Sequence, residues 1–145
     1  MKAVADEALK LGSPFAKIYP CDLRNSESIG KVVTQIVTEF KEVHILINNA
    51  GIWQKVGQLD EASLDDIESV ISTNLTGLIK LTNLVLPELR KSDEAAVLNI
   101  SSRSGVIAKA GQSIYAASKW GITGFTEVLK VDLKDTNIRV AGIYQ

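Results

Sequence analysis

The residues best suited to proton transfer are a tyrosine and a lysine four positions apart, Tyr115 and Lys119. Residues at i and i+4 project from one face of a helix, so the ammonium would lie near the phenol. A neighbouring positive charge stabilises a phenolate, and such a tyrosine can exchange a proton with an alcohol near neutral pH. The spacing alone also fits two structural residues on one helix face.

Two further polar residues interrupt the local pattern. Asn74 lies in a helical stripe that is otherwise apolar and includes Ile67 and Ile71. It is either a structural amide with satisfied hydrogen bonds or a polar group directed into a site. Ser102 directly follows a buried apolar segment, shortly before Tyr115. Its hydroxyl can donate to a substrate oxygen, and its serine-rich surroundings also fit an ordinary turn.

The run Asn48-Asn49-Ala50-Gly51 follows another apolar segment. A plain turn after a strand explains the glycine but does not readily explain both asparagines. The two amides and the open glycine backbone would place hydrogen-bonding groups at the end of a strand. This run is therefore a candidate binding segment beside the candidate proton-transfer pair.

The elements that must position these residues alternate between helix and strand. Predicted helices cover residues 2–11, 26–40, 64–89 and 113–133, and predicted strands cover residues 15–19, 43–47, 96–101 and 138–144. This alternation predicts an α/β fold with a parallel sheet covered on both faces. Ligands of such sheets bind beyond the carboxyl ends of the strands. The rule selects Asp22, residues 48–51, residues 101–104 and the chain after residue 144.

Composition excludes several function classes. The 145 residues, 46% hydrophobic and 23% charged, indicate one ordinary globular domain and exclude disorder. A net charge of -1 argues against nucleic acid as a partner. With one cysteine, Cys21, and one histidine, His44, the chain offers no disulfide, zinc site or Ser-His-Asp triad. No apolar run reaches the roughly 20 residues of a membrane span, and no signal peptide is present, so we expect a cytoplasmic protein without membrane or metal partners.

Together these motifs resemble the short-chain dehydrogenase/reductase family in its simple, non-extended form. Four motifs match in the family's order and spacing: Asn-Asn-Ala-Gly at 48–51, Asn74 within residues 73–77, Ser102 within residues 99–105, and Tyr-Ala-Ala-Ser-Lys at 115–119. Residues 22–23 and 138–140 resemble the family's adenine-side acidic turn and late strand. The extended epimerases and dehydratases share the Tyr-Lys spacing, but the Asn-Asn-Ala-Gly run disfavours them.

The resemblance implies a role for each motif. Tyr115 would be the acid/base on the substrate oxygen, and Lys119 would make its phenol more acidic and bind the nicotinamide ribose. Ser102 would orient the substrate oxygen, and Asn74 would hold a water molecule in a proton relay. Asn49, Ala50 and Gly51 would line the cofactor, NAD or NADP, and Asp22 with Leu23 would flank its adenine. No metal is needed.

The resemblance also implies a three-layer Rossmann-like parallel sheet, with residues 1–145 as a single, partial NAD(P)-binding domain. The family begins with a strand and a glycine-rich turn that holds the pyrophosphate, yet no Gly-x-Gly occurs among the ten glycines. We therefore expect an incomplete chain, a truncated form or part of a longer protein, without the first two strands and the last strand. The strand from Phe15 would then have to pair elsewhere, for example across a dimer.

Two functions are compatible with these motifs. The first is an oxidoreductase that transfers a hydride between NAD(P) and a secondary alcohol or ketone, similar to 3-oxoacyl-carrier-protein reductases. The alternative is a catalytically inactive fragment or a non-enzymatic interaction protein that retains the family's catalytic residues. The resemblance further implies a homo-dimer or homo-tetramer formed through the helices at 65–86 and 115–133.

Overall fold

Three parallel strands form the centre of this computed structural model, which describes residues 1–145. Strands β1 (Ile45–Asn48), β2 (Ala95–Ile100) and β3 (Ile138–Ile143) pair in that order. Because both pairings are parallel, the carboxyl ends of all three strands lie at one edge of the sheet. The predicted α/β fold with a parallel sheet is confirmed.

Five α-helices accompany the sheet. They are α1 (Lys2–Lys10), α2 (Ser26–Phe40), α3 (Leu64–Ile71), α4 (Gly77–Leu89) and α5 (Ser113–Asp132). Helices α4 and α5 contact the strands, and α2 packs on α4 while α3 packs on α5. None of these helices combines the length and hydrophobicity that crossing a bilayer requires.

The apolar core lies between the strands and the C-terminal halves of α4 and α5. It contains seven buried residues: Val85, Leu89, Ala95, Val97, Leu129, Leu133 and Ile138. Burial of each large side chain among them contributes about 1.5–3 kcal/mol. Alternate residues of β2 point into this core, so the sheet presents one fixed face to α4 and α5.

Residues 15–19 do not form the predicted strand. Their backbone makes no hydrogen bond to another backbone group, and side chains hold the segment instead. The Phe15 ring stacks on Phe40 with 4.9 Å between ring centroids, and Lys17 and Tyr19 both donate to the Glu39 carboxylate. Apolar, extended residues become a strand only where a second backbone completes the ladder, and none lies beside these residues.

The predicted helix over residues 64–89 is divided by a π-helical turn at Ser72–Thr76. Ser63 caps the start of α3, since its Oγ accepts the Asp66 N–H at 3.0 Å and donates to the Asp66 carboxylate at 2.7 Å. Helix α4 continues through Pro87 without interruption. The irregular turn in this region lies around Asn74. Such widened turns occur frequently at functional sites.

Candidate active site

A cleft of about 200 Å³ opens at the carboxyl edge of the sheet. It brings together four residues that the sequence selected: Asn49, Gly51, Tyr115 and Lys119. The rest of its lining comes from Ile52, Trp53, Ile100, Ser101 and Gln145. The loop after β1, the end of β2 and the first two turns of α5 therefore meet at one place, where the strand-end rule locates ligands.

Tyr115 and Lys119 lie on one face of α5. The Lys119 Nζ is 5.6 Å from the centroid of the Tyr115 ring. The lysine residue is only 5% exposed, and its Nζ donates to the Ile100 carbonyl oxygen at 2.9 Å. No carboxylate pairs with this ammonium, and desolvation by burial lowers the Lys119 pKa below its ordinary value of 10.5. The site thus holds a buried positive charge beside a phenol.

Asn74 is fully buried under the loop that follows β1. Its Oδ1 accepts the Ile52 N–H at 2.7 Å, and its Nδ2 donates to the Ile52 carbonyl at 2.9 Å and to the Ser118 hydroxyl at 3.2 Å. A Cβ on Gly51 would lie 3.2 Å from the Asn74 Oδ1 and 3.8 Å from the Lys119 Nζ. Asn74 therefore fastens the loop to α5 at the cleft, and its water-holding role stays a prediction.

Ser102 lies beside the cleft and is not part of its lining. Its Oγ accepts the Ser104 N–H at 3.2 Å, which caps the short 3-10 turn at Arg103–Gly105, and it donates to the Gln145 carbonyl over 3.5 Å. Its neighbours Ser101 and Gln145 do face the cleft. Of the four predicted catalytic residues, Tyr115 and Lys119 line the cleft, and Asn74 and Ser102 do not.

Three of the predicted adenine-side and cofactor residues line a second cavity of about 200 Å³. Leu23, Asn49 and Ala50 line it together, and Asn49 also lines the first cleft. The Leu23 backbone packs so closely on α4 that a Cβ on Gly77 would lie 2.6 Å from the Leu23 carbonyl oxygen. Asn49 is the one lining residue that the second cavity shares with the Tyr115 cleft.

Asp22 is exposed and lines neither cavity; it lies in a separate polar depression together with Arg24 and Asn25. Its carboxylate forms an ion pair with Arg24 at 2.8 Å. Hydrogen bonds from the Arg24 side chain and backbone lower the Asp22 pKa from 3.8 to about 2. The carboxylate is therefore charged and oriented by a residue that the sequence analysis did not select.

A buried polar network supports this edge of the sheet. The Asn48 Nδ2 donates to the Thr82 Oγ1 at 2.9 Å and to the Asn99 Oδ1 at 2.8 Å, and the Asn99 Nδ2 donates to the Thr126 Oγ1 at 2.9 Å. These bonds tie β1 and β2 to α4 and α5 behind the cleft. Thr82 and Thr126 were missed because each looks like an ordinary helical residue in the sequence.

Two neighbouring residues in the loop after β1 were also missed, Trp53 and Gln54. The Trp53 ring packs against the Tyr115 ring with 4.2 Å between centroids and 53° between planes. The buried Gln54 side chain accepts a hydrogen bond from the Tyr115 N–H. The sequence carries no signal for either contact, because both depend on the path of the loop.

Comparison with known proteins gives one consistent result. A family model described as short chain dehydrogenase matches residues 1–145. The chain is 33% identical over 125 residues to the 3-oxoacyl-[acyl-carrier-protein] reductase of Thermotoga maritima. The aligned residues cover 86% of this chain and 50% of that protein. It is 34% identical over 126 residues to the NADP-dependent 3-hydroxy acid dehydrogenase of Shigella flexneri, with 87% and 51% covered. It is 34% identical over 119 residues to the 3-ketodihydrosphingosine reductase of Bacteroides thetaiotaomicron, with 82% and 44% covered. The chain spans about half the length of these relatives.

Solved structures agree on the fold. A metagenomic short-chain oxidoreductase in complex with NADP superposes with a TM-score of 0.92 at 27% identity, covering 99% of this chain and 64% of that one. A short chain dehydrogenase from Salmonella enterica superposes with a TM-score of 0.90 at 25% identity, covering 98% and 59%. The arrangement of strands and helices around the cleft is therefore the one found in these enzymes.

Proposed function

The chain belongs to the short-chain dehydrogenase family, and on that premise we propose that it acts as an NAD(P)-dependent oxidoreductase that interconverts a secondary alcohol and a ketone. The observation that carries the proposal is the pair in the cleft. The Lys119 ammonium lies 5.6 Å from the Tyr115 ring, buried and without a carboxylate partner. A positive charge in that position favours a phenol that releases and recovers a proton.

The residues present fit the ribose end of a nicotinamide dinucleotide. An ammonium has three N–H donors, and Lys119 uses one of them on the Ile100 carbonyl, which leaves donors for ribose hydroxyls. Gly51 lines the cleft, and Asn49 lines both the cleft and the second cavity, which Leu23 and Ala50 also line. When bound there, the nicotinamide would supply the hydride. We propose that residues 1–145 act as one unit in holding it.

In the proposed reduction, the Tyr115 hydroxyl donates its proton to the carbonyl oxygen of the ketone as that oxygen gains negative charge. Lys119 stabilises the phenolate that remains, and the reverse transfer occurs in alcohol oxidation. Ser102 would donate a second hydrogen bond to the same oxygen. Its present acceptor is the Gln145 carbonyl, at 3.5 Å, and so long a bond is readily exchanged for one to the substrate.

The proposed substrate carries its reacting oxygen at carbon 3 of an acyl chain or long-chain compound. The names of the three relatives specify a 3-oxoacyl, a 3-hydroxy acid and a 3-keto compound. We propose either NAD or NADP as the cofactor. NADPH is the first choice to test, because one of these relatives and a solved complex are described with NADP.

The proposed assembly is a homo-dimer or homo-tetramer that uses α4 and α5. Apolar side chains on these helices are exposed in the monomer: Leu84, Trp120, Val128 and Val131. Their burial between copies would remove apolar surface from water. Sedimentation equilibrium tests this directly, and a monomer at all concentrations would contradict it.

Cofactor binding and turnover test the proposed function. The 145-residue chain is titrated with NADPH and with NADH while the fluorescence of Trp53 and Trp120 is followed. A panel of 3-oxo esters and simple ketones is then assayed through the nicotinamide absorbance. We expect saturable binding and reduction of the 3-oxo compounds. No binding at millimolar cofactor would instead favour the non-enzymatic interaction protein.

A further inference from the structure

Helix α5 lacks a side-chain cap from its own N-terminal residue. The Gln112 side chain is used elsewhere, because its Oε1 accepts the Ser104 hydroxyl proton at 2.9 Å. The first backbone bond into the helix runs from the Ala116 N–H to the Gln112 carbonyl at 2.7 Å. The N–H of Tyr115 precedes that bond and therefore has no carbonyl partner on its own helix.

Gln54 supplies the missing partner from a distant loop. Its side chain is buried, at 7% exposure for the residue, and its Oε1 accepts the Tyr115 N–H. Its Nε2 makes longer bonds to the carbonyls of Lys55, at 3.4 Å, and Gly111, at 3.5 Å. The Gly57 N–H also donates to the Gly111 carbonyl at 3.2 Å. The loop after β1 is thereby held against the chain that leads into α5.

The adjacent Trp53 holds the other end of the same tyrosine. Its ring lies against the Tyr115 ring at 4.2 Å, while Gln54 holds the Tyr115 backbone. Two consecutive loop residues thus contact the ring and the backbone of Tyr115. A residue required only to fill space here would be apolar, because a buried amide costs desolvation unless its hydrogen bonds are made.

We propose that Gln54 is a positioning residue for Tyr115. Gln54 acts as a remote N-cap of α5 and thereby fixes the position of the Tyr115 phenol in the cleft. The expected effect of Gln54 on turnover rests on the proposed function. The expected effect of Gln54 on the geometry of α5 depends only on the Gln54–Tyr115 hydrogen bond. Displacement of a reacting group by as little as 1 Å can lower a rate by about 100-fold, so such a cap has a measurable effect.

The first test measures geometry without activity. Gln54→Met keeps the length of the side chain and removes its hydrogen bonds, and Gln58→Met makes the same change at an exposed position of the same loop. Amide hydrogen exchange is followed by NMR on the 145-residue chain. We expect the Tyr115 N–H to exchange at least about tenfold faster in Gln54→Met and at the wild-type rate in Gln58→Met. Equal rates in the two variants would overturn the cap.

A second variant covers the case in which Gln54→Met does not fold. Gln54→Glu keeps an acceptor oxygen, and negative charge is favourable beside the first turn of a helix. We expect Tyr115 exchange within about threefold of the wild-type rate in this variant. Fast exchange in a folded Gln54→Glu protein would show that the acceptor is not what protects Tyr115, and would overturn the proposal.

The consequence for the phenol is tested in two ways. In an active protein, Gln54→Met should lower kcat about tenfold or more while KM and the cofactor Kd change less than about twofold. An unchanged kcat would overturn the positioning role. If the wild-type chain reduces no ketone, the proposed function has failed separately. The nuclear Overhauser effect between the Trp53 and Tyr115 rings then decides, because it should weaken in Gln54→Met and its persistence would overturn the inference.

Discussion

The side-chain amide of Asn74 pairs with both backbone polar groups of Ile52, accepting its N–H at 2.7 Å and donating to its carbonyl at 2.9 Å. One buried side chain thus supplies the hydrogen bonds to the loop backbone that a neighbouring strand would supply in a sheet. The same amide donates to Ser118 on α5. The loop that carries Gly51, Trp53 and Gln54 is therefore attached to the helix that carries Tyr115.

Removal of this amide should destabilise the protein. Asn74→Ala leaves the Ile52 N–H and carbonyl without partners beneath the loop, and we expect the free energy of unfolding to fall by about 2–4 kcal/mol. Asn83→Ala makes the same change at an exposed position of α4 and should alter it by less than about 0.5 kcal/mol. Urea denaturation measures both. Similar losses in the two variants would contradict the pairing.

Features that depend on residues close together in the sequence could be predicted, and features that depend on contacts between distant segments could not. The helix predicted at residues 26–40 matches α2, because the signals for a helix are local: its cap, the Asn25 side chain, accepts the N–H groups of Glu27 and Ser28 directly beside it. The proximity of Tyr115 and Lys119 follows from the turn of a single helix. The sequence therefore predicted that Tyr115 and Lys119 lie together at a cleft beyond the strand ends.

The parts that failed depend on contacts between distant segments. Residues 15–19 have the composition of a strand, but a strand also needs a neighbouring backbone. The Gln54 cap joins residues that are 61 positions apart, which no local pattern records. The π-helical turn around Asn74 likewise arises where one helix must serve both the loop and α5.

Gly105 is required by the close approach of its turn to α5. A Cβ there would lie 2.6 Å from the Ser101 Oγ and 2.7 Å from the Lys119 carbonyl oxygen. Gly105→Ala should therefore lower the free energy of unfolding by about 1–3 kcal/mol. Gly124→Ala, on α5 with no heavy atom within 4 Å of its Cβ position, should raise it by about 0.4–1 kcal/mol. Thermal unfolding of both variants tests this opposition in sign.

Burial of Lys119 should make stability depend on pH. Its folded-state pKa is lowered from 10.5 by desolvation, so between the folded pKa and 10.5 the unfolded chain binds more protons and stability rises with pH. Below the folded pKa the whole penalty is present. Lys119→Met removes the titrating group, so the stability of the wild type relative to this variant should increase as the pH approaches 10.5.

The control for that comparison is Lys130→Met, which removes a half-exposed lysine, paired with Glu127, from the same helix. Unfolding curves in urea are collected from neutral to alkaline pH for the wild type and both variants. If the difference in the free energy of unfolding between the wild type and Lys119→Met does not change with pH, desolvation of this ammonium does not affect the stability.

Loss of the Tyr115 hydroxyl separates proton transfer from binding. Tyr115→Phe keeps the ring that packs on Trp53, so the cleft and the cofactor Kd should change little. Turnover should fall by about 100-fold or more, because no other phenol lines the cleft to protonate the substrate oxygen. Tyr19→Phe makes the same chemical change outside the cleft, at the adjoining cavity, where the hydroxyl donates to Glu39, and at saturating cofactor it should retain wild-type kcat. Steady-state assays at saturating cofactor compare the variants, and a Tyr115→Phe protein with wild-type kcat would remove the tyrosine from the reaction.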